Sequence, residues 1–140
     1  MNWSKFDRGI FLVNCLGIVY HPKNKKILIG RREKDTYIKK LTWCFPGGRP
    51  SYDKSLEESL KRKIRTMTGL NVDIKKIIFA KTYPEKREFL SIYYHCEVIS
   101  GTEKAGELFK EIKWIKPNEV KKYFTTSIHP NILSYLTSLK

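Results

Sequence analysis

The side chains of this chain that could do chemistry are mainly basic, and the densest group of them spans Lys61 to Arg65. Arginine guanidinium groups can hold a phosphate or diphosphate through paired hydrogen bonds. A glycine pair, Gly47-Gly48, precedes this group and allows the backbone to approach a ligand closely. The basic group and the glycine turn therefore favour the binding of a phosphate ligand.

The segment that must position the basic group is predicted to be a helix. Ser55, followed three residues later by Glu58, forms a capping box and places the start of the helix at about Leu56. Apolar residues follow at helical spacing; they are Leu56, Leu60, Ile64 and Met67. Gly69 favours the left-handed conformation that ends a helix. Glu57 and Glu58 suit the positive end of the helix dipole, so they are interpreted as structural.

Strand-like segments surround this helix. They cover Ile10–Tyr20, Lys26–Arg31, Val72–Tyr83 and Phe89–Ile99. Pro84–Arg87 is interpreted as the link of a hairpin between the last two. Short helices are predicted at Asn118–Phe124 and Pro130–Leu139. Strands interleaved with helices favour an α/β fold with a sheet packed between helices.

Residues Gly48 to Leu70 resemble the Nudix box, G-x5-E-x7-R-E-U-x-E-E-x-G-U, in which U is a bulky aliphatic residue. Without a gap, the chain matches the pattern at Gly48, Arg62, Ile64, Gly69 and Leu70. The flanking segments Trp43–Gly48 and Ile112–Ile115 also resemble the strands that adjoin the box in that family. The resemblance covers most of the chain, and it implies a Nudix fold, a mixed β-sheet sandwiched between α-helices, in one domain over residues 1–140.

All four glutamate positions of the box are filled by other residues, namely Lys54, Lys63, Thr66 and Met67. The resemblance implies that box glutamates present Mg²⁺ or Mn²⁺ to a diphosphate. Hard divalent cations require oxygen ligands, chiefly carboxylates. An ammonium group repels a cation, and a thioether is too soft a ligand for Mg²⁺. The box is therefore predicted to hold no metal, and Mg²⁺ or Mn²⁺ would be needed only if the protein is active through other acids.

The acids that could replace the box glutamates are Asp53, Glu107 and Glu111. Asp53 adjoins position 54, while Glu107 and Glu111 precede the Trp114 strand, where some Nudix enzymes carry a further ligand or base. Solvated loop charge is the competing interpretation of the last two. The Phe45–Arg49 segment and Asp53 resemble the GDP-mannose mannosyl hydrolase branch of the family. That branch keeps the last box glutamate, and here the position is Met67.

The resemblance also implies a phosphate-binding site. The likeness supports this role for Arg49 and Arg62, and the expected fold brings Arg32 close to them. We therefore predict a phosphate-binding site formed by Arg32, Arg49 and Arg62 together with the Gly47-Gly48 turn.

The chain carries 28 Lys and Arg against 14 Asp and Glu, a formal net charge of +14. This balance favours anionic partners such as nucleotides, polyphosphates or RNA, although lysine is spread along the whole sequence. No segment reaches the about 20 apolar residues needed to span a membrane, so a cytoplasmic protein is expected, and a homodimer is compatible with the sequence. Cys15, Cys44 and Cys96 match no zinc or redox spacing. His95, inside a strand segment, is interpreted as a packed residue.

Three functions remain open on these observations. The first is a binding module for a nucleoside diphosphate derivative or another phosphate ligand, without metal and without efficient hydrolysis. The second is a divergent Nudix hydrolase that cleaves nucleoside diphosphate-linked substrates with Asp53, Glu107 or Glu111. The third is a basic module that binds RNA or a protein partner, for which binding would depend steeply on salt.

Overall fold

The computed structural model describes residues 9–32, 42–84, 86–125 and 128–139. The strands are β1 (Leu12–His21), β2 (Lys26–Arg31), β3 (Trp43–Cys44), β4 (Gly47–Gly48), β5 (Leu70–Tyr83), β6 (Lys86–Gly101) and β7 (Glu111–Ile115). The helices are α1 (Leu56–Thr68), α2 (Val120–Tyr123) and α3 (Pro130–Ser138), and a 3-10 turn at Pro117–Glu119 leads into α2. No helix in the described ranges is long and apolar enough to cross a membrane.

One mixed sheet organises these elements. Its main path runs β3-β2-β1-β6-β5, with β4 paired to β1 and β7 paired to β2. Strands β1 and β6 are parallel, from Leu12 opposite Phe89 to Tyr20 opposite Glu97, and the other pairs are antiparallel. The predicted α/β class is confirmed.

A separate apolar core lies on each face of the sheet. On the α1 face, Leu60 and Ile64 pack with buried strand residues; these include Cys15, Val19, Tyr94 and Cys96. On the α3 face, Ile132 and Leu136 pack with a second set; these include Ile18, Tyr20, Ile27 and Ile29. The sheet is therefore buried on both sides, as the sandwich architecture requires.

The predicted strands and the helix at α1 are present, but β1, β5 and β6 begin or end a few residues from the predicted positions. The predicted first strand began at Ile10, but Ile10 is 69% exposed and β1 begins at Leu12. The predicted hairpin link was too long, because β6 already begins at Lys86. The predicted helix at Asn118–Phe124 is a 3-10 turn followed by the four-residue α2. Local propensity does not fix these ends, which depend on pairing with distant strands.

Candidate functional site

Helix α1 is held at both ends by the predicted residues. The Ser55 side chain accepts a hydrogen bond from the Glu58 backbone N–H at 3.1 Å. At the other end Gly69 adopts φ 75°, and its N–H donates to the Arg65 carbonyl. Glu57 and Glu58 lie exposed in the first turn, where they stabilise the helix dipole. The predicted start and end of the helix are confirmed.

Lys63, at a former glutamate position, lies against the Gly47-Gly48 turn. A Cβ atom added at Gly48 would be 3.6 Å from Lys63 Cε and 4.0 Å from its Nζ. Gly47 has φ 146°, and a Cβ there would lie 2.1 Å from the Cys15 carbonyl oxygen, so this position requires glycine. The turn is thus packed on β1 with an ammonium group beside it.

The other two box positions on α1 are equally unsuited to a hard cation. Met67 is 1% exposed and belongs to the protein interior. Thr66 is exposed, and its hydroxyl donates to the Lys63 carbonyl at 3.0 Å. An ammonium, an occupied hydroxyl and a buried thioether do not form the carboxylate set that Mg²⁺ or Mn²⁺ prefers. These residues do not fit the metal that the box implies.

The loop between β6 and β7 is fastened to the end of α1 by its backbone. Lys104, Gly106 and Glu107 donate their N–H groups to the carbonyls of Thr68, Met67 and Thr66 at 2.8, 2.9 and 3.0 Å. With the Gly69 bond to Arg65, all four carbonyls at the end of the helix have a partner. Sequence reasoning missed this contact, which fixes the backbone position of Glu107.

The three candidate acids lie in different settings. Glu107 is exposed beside Thr66, and Asp53 is exposed before α1. Glu111 was interpreted as a loop residue, but it is the first residue of β7 and pairs with Arg31, whose Nε lies 3.1 Å from its Oε1. Within the part of the chain that the structure describes, no three His, Cys, Asp or Glu residues are grouped closely enough to hold a metal ion.

The predicted phosphate-binding arginines come from three elements. Arg32 follows β2, Arg49 follows β4, and Arg62 projects from α1, where it is exposed. Among the described residues no carboxylate lies within ion-pair distance of Arg62. Arg62 therefore does not stabilise the helix through an ion pair with a described residue. Joint binding of one phosphate by Arg32, Arg49 and Arg62 stays a prediction.

Tyr94 cannot stack on the base of a nucleotide, because it lies in the interior. Its side chain is 1% exposed in the α1-face core, where burial raises its pKa to about 12. Its hydroxyl adjoins the Cys15 thiol but makes no hydrogen bond of ordinary geometry to a described residue. Trp43 and Tyr93 remain half-buried on the α3 face, in edge contacts with Tyr123 and Phe45 at 5.5 and 6.3 Å between ring centroids.

The buried thiols are unsuited to nucleophilic catalysis. Burial raises the pKa of Cys96 to about 12, and burial is also the main cause of the raised pKa of Cys15. A nucleophilic cysteine requires the opposite shift. Their interpretation as packed thiols agrees with these environments.

The sequence model of the Nudix domain matches residues 12–136. The ADP-ribose pyrophosphatase of Methanocaldococcus jannaschii is 29% identical over 103 residues, which cover 71% of this chain and 60% of that protein. The nucleoside triphosphatase NudI of Escherichia coli is 29% identical over 93 residues, which cover 58% of this chain and 66% of the relative. The chain thus spans less than two thirds of the length of both relatives.

Solved structures share the fold at lower sequence identity. The MutT protein of Methanosarcina mazei superposes with a TM-score of 0.74 at 16% identity, over 93% of this chain and 95% of that one. An ADP-ribose pyrophosphatase of Streptococcus suis gives a TM-score of 0.60 at 15% identity, over 75% and 73% of the two chains. These likenesses concern the arrangement of the sheet and its helices.

Proposed function

This chain belongs to the Nudix family, and from that premise we propose that it binds a nucleoside diphosphate derivative, or a related phosphate ligand, without a metal ion. The ligand's phosphates lie between the Gly47-Gly48 turn and α1. Lys63, Arg62, Arg49 and Arg32 supply positive charge where the family pattern has metal and carboxylate. Hydrolysis is then weak or absent. We place this activity in one domain of a cytoplasmic protein.

The position of Lys63 carries this proposal. Its ammonium lies beside Gly48, where the lack of a side chain lets a phosphate approach the backbone. A charge-assisted hydrogen bond from lysine to phosphate is stronger than a neutral one. The nearby Arg62 has no carboxylate partner among the described residues, so a phosphate would not have to displace an existing ion pair. The net charge of +14 adds a general attraction for anions.

A divergent hydrolase is the second candidate, and one contact favours it. The Glu107 N–H bond to Thr66 holds that acid next to a box position that has lost its glutamate. Two similar proteins, an ADP-ribose pyrophosphatase and a nucleoside triphosphatase, act on nucleoside phosphates, and this supports substrates of that class for a hydrolase here. Hydrolysis would then depend on Glu107 and on acids outside the box face of α1. The RNA-binding and homodimer interpretations draw no support from these relatives.

The test combines turnover with binding. Phosphate release is measured on ADP-ribose, nucleoside diphosphate sugars and nucleoside triphosphates with Mg²⁺, Mn²⁺ or EDTA, and the same compounds are titrated calorimetrically. We expect no release, and an affinity that EDTA leaves unchanged. Metal-dependent release that is lost in Glu107→Gln, but not in the loop control Glu103→Gln, would establish the hydrolase instead.

A matched pair of lysine variants tests the binding surface. Lys63→Gln should weaken binding at least about tenfold, because one charge-assisted hydrogen bond is worth about 1.5–3 kcal/mol. Lys61→Gln removes the same charge from the same helix, two residues away and on another side, and should change affinity less than about twofold by screened attraction alone. Equal losses from both variants would contradict a site at the glycine turn and indicate non-specific charge attraction.

A further inference from the structure

A cleft of about 500 Å³ opens on the α3 face of the sheet, at the end of α3 away from Pro130. Its floor contains Tyr20 of β1 and His95 and Glu97 of β6, and its sides are formed by β5 and α3. Residues alternate across a strand, so Tyr94 and Cys96 face α1 while His95 faces α3. None of the lining residues belongs to α1. The cleft is therefore separate from the box.

Three hydrogen-bonded polar side chains form part of this cleft. His95 is 6% exposed; its Nε2 lies 3.0 Å from Glu97 Oε2, and its Nδ1 is hydrogen-bonded to the Tyr135 hydroxyl. If the imidazole is neutral, Nε2–H donates to the carboxylate and Nδ1 accepts from the phenol. Both ring nitrogens are thus occupied, and the ring is held in a fixed orientation. Burying such a group is costly unless its partners are in place, and here they are.

A bulge in β5 brings two consecutive lysines to the same cleft. The β5–β6 register shifts between Ile74, which is opposite Cys96, and Lys76, which is opposite His95. In a regular strand Lys75 and Lys76 would face opposite sides, but both line the cleft. Bulges redirect side chains in this way and are common beside binding sites.

One cation at the cleft, Lys76, has no direct ion pair within the described residues, although the Glu97 carboxylate keeps its own charge when His95 is neutral. Lys75 lies 2.8 Å from Asp73 Oδ2, and Glu97 is hydrogen-bonded to His95. The Lys76 ammonium lies 5.8 Å from the centroid of the Tyr135 ring, and no carboxylate of the described residues is within 4.0 Å of it. An anion bound here would meet a lysine that is already facing the cleft.

The aromatic rings beside His95 favour a ligand that has a flat ring as well as a negative charge. Tyr20 and Tyr135 lie with their ring centroids 5.8 and 5.7 Å from that of His95, at interplanar angles of 42° and 73°. Rings arranged in this way offer an apolar surface with a polar edge.

We propose that the cleft is a second ligand site, for a small organic anion that joins a phosphate or carboxylate group to a flat ring. Lys76, assisted by Lys75, binds the anionic group, and the ring contacts Tyr135.

Phenyl phosphate is the probe, and the His95 imidazole resonances are the readout in a two-dimensional NMR titration of the full chain. The His21→Gln and His129→Gln variants assign those resonances by elimination. We expect a saturable shift of the His95 signals, with tighter binding of phenyl phosphate than of inorganic phosphate. Benzoate serves as the carboxylate arm: a shift with only one of the two aryl anions identifies the preferred anionic group, and a shift with both leaves the site general for aryl anions.

Paired lysine variants locate the binding. The Lys75→Gln/Lys76→Gln protein should bind phenyl phosphate at least about tenfold more weakly, while Lys63→Gln, in the box, should leave the His95 titration unchanged. The proposal is overturned if the aryl anions move no His95 signal, if sodium chloride at equal ionic strength gives the same shift, or if the double variant binds as the wild type does. It stands or falls independently of the box.

Discussion

The two faces of the sheet use polar side chains in opposite ways. On the α1 face the buried hydroxyls of Ser59 and Thr68 bond only to backbone groups, and the other polar atoms of that core are the thiols and the Tyr94 hydroxyl. On the α3 face, hydrogen-bonded groups enter the interior, with His95 bonded at both nitrogens and Tyr83 bonded to Ser91 at 2.8 Å. Loss of the box carboxylates left the α1 face as packing with a basic rim, while the opposite face kept buried polar contacts.

The largest effect is expected when the glutamate of the family pattern is placed in the interior of the α1 face. Met67→Glu would place a carboxylate at a site that is 1% exposed, with no cation prepared for it. We expect the free energy of unfolding to fall by about 4 kcal/mol. Urea denaturation followed by circular dichroism measures it.

Met67→Leu is the matched control, and it should cost less than about 1.5 kcal/mol because it conserves volume and apolarity. If Met67→Glu were as stable as Met67→Leu, position 67 would be open to solvent or to a cation, and the description of the α1 face as simple packing would be wrong.

The loop that covers the end of α1 provides the next test. A Cβ at Gly106 would lie 2.1 Å from the Thr66 carbonyl oxygen. Gly106→Ala should therefore break the backbone contact and cost about 2–3 kcal/mol. Gly48→Ala makes the same chemical change where the nearest side-chain atom would be 3.6 Å away, and it should change stability by less than about 1 kcal/mol. Thermal unfolding of both variants decides whether the contact matters.

Alkaline pH should weaken the α1 face through Cys96. Because burial raises its pKa from 9.0 to about 12, the folded protein holds a proton there that the unfolded chain has lost. Stability contributed by this thiol is complete below pH 9 and declines as pH rises towards 12, by at most about 1.4 kcal/mol per pH unit. Urea titrations at pH 8, 9 and 10 measure the slope, and Cys96→Ala should reduce it. An unchanged slope in that variant would assign the effect to other groups.

On the α3 face, Tyr135→Phe removes the hydroxyl that is bonded to His95 Nδ1. The ring keeps its packing, while a buried nitrogen loses its partner, so we expect a loss of about 1–2 kcal/mol. Tyr52→Phe, at a fully exposed tyrosine, should have no measurable effect on the denaturation midpoint. Equal midpoints for the two variants would mean that the polar contacts of this face are not stabilising.

The smallest expected effect concerns Glu111 at the edge of the sheet. Its partner Arg31 and its own side chain are 37% and 50% exposed, and such ion pairs contribute little. Glu111→Gln should change stability by less than about 0.5 kcal/mol and should leave ligand affinity unaltered in calorimetry. A large loss of binding or turnover would return Glu111 to the functional site.

Sequence predicted the α1 face better than the α3 face, for a physical reason. The ends of α1 depend on Ser55, Glu58 and Gly69, which act within a few residues of themselves. The contacts of His95 include Tyr135, forty residues away along the chain, and the lysines of the cleft depend on a bulge. Neither has a local pattern. The replacement of the box glutamates could be seen in the sequence. The backbone contact between the β6–β7 loop and α1 could not, because no residue type is specific for such a contact.

The loop between β6 and β7 that covers the end of α1 is hard to predict from the sequence. Gly106 is its one sequence hint. The positive φ of Leu108, 71°, is seen only in the structure. Phe109 is buried against Gly30, where a Cβ would fall 2.3 Å from the ring. From the sequence alone this loop resembles an ordinary polar connection, because its contacts form only when β6 and β7 take their places in the sheet. Whether Arg32, Arg49 and Arg62 bind one phosphate together is likewise not set by a local pattern, because it depends on the ligand.

The backbone bonds at the end of α1 also limit where this protein can be engineered. Exposed connections between strands usually accept inserted segments or tags. Here the register of residues 104–107 is set by three successive helix carbonyls, so one added residue would misalign several bonds at once. Among the described residues, Pro84 in the β5–β6 connection has no such backbone bond to a helix, and this connection is the better place to introduce a fluorophore or an affinity tag.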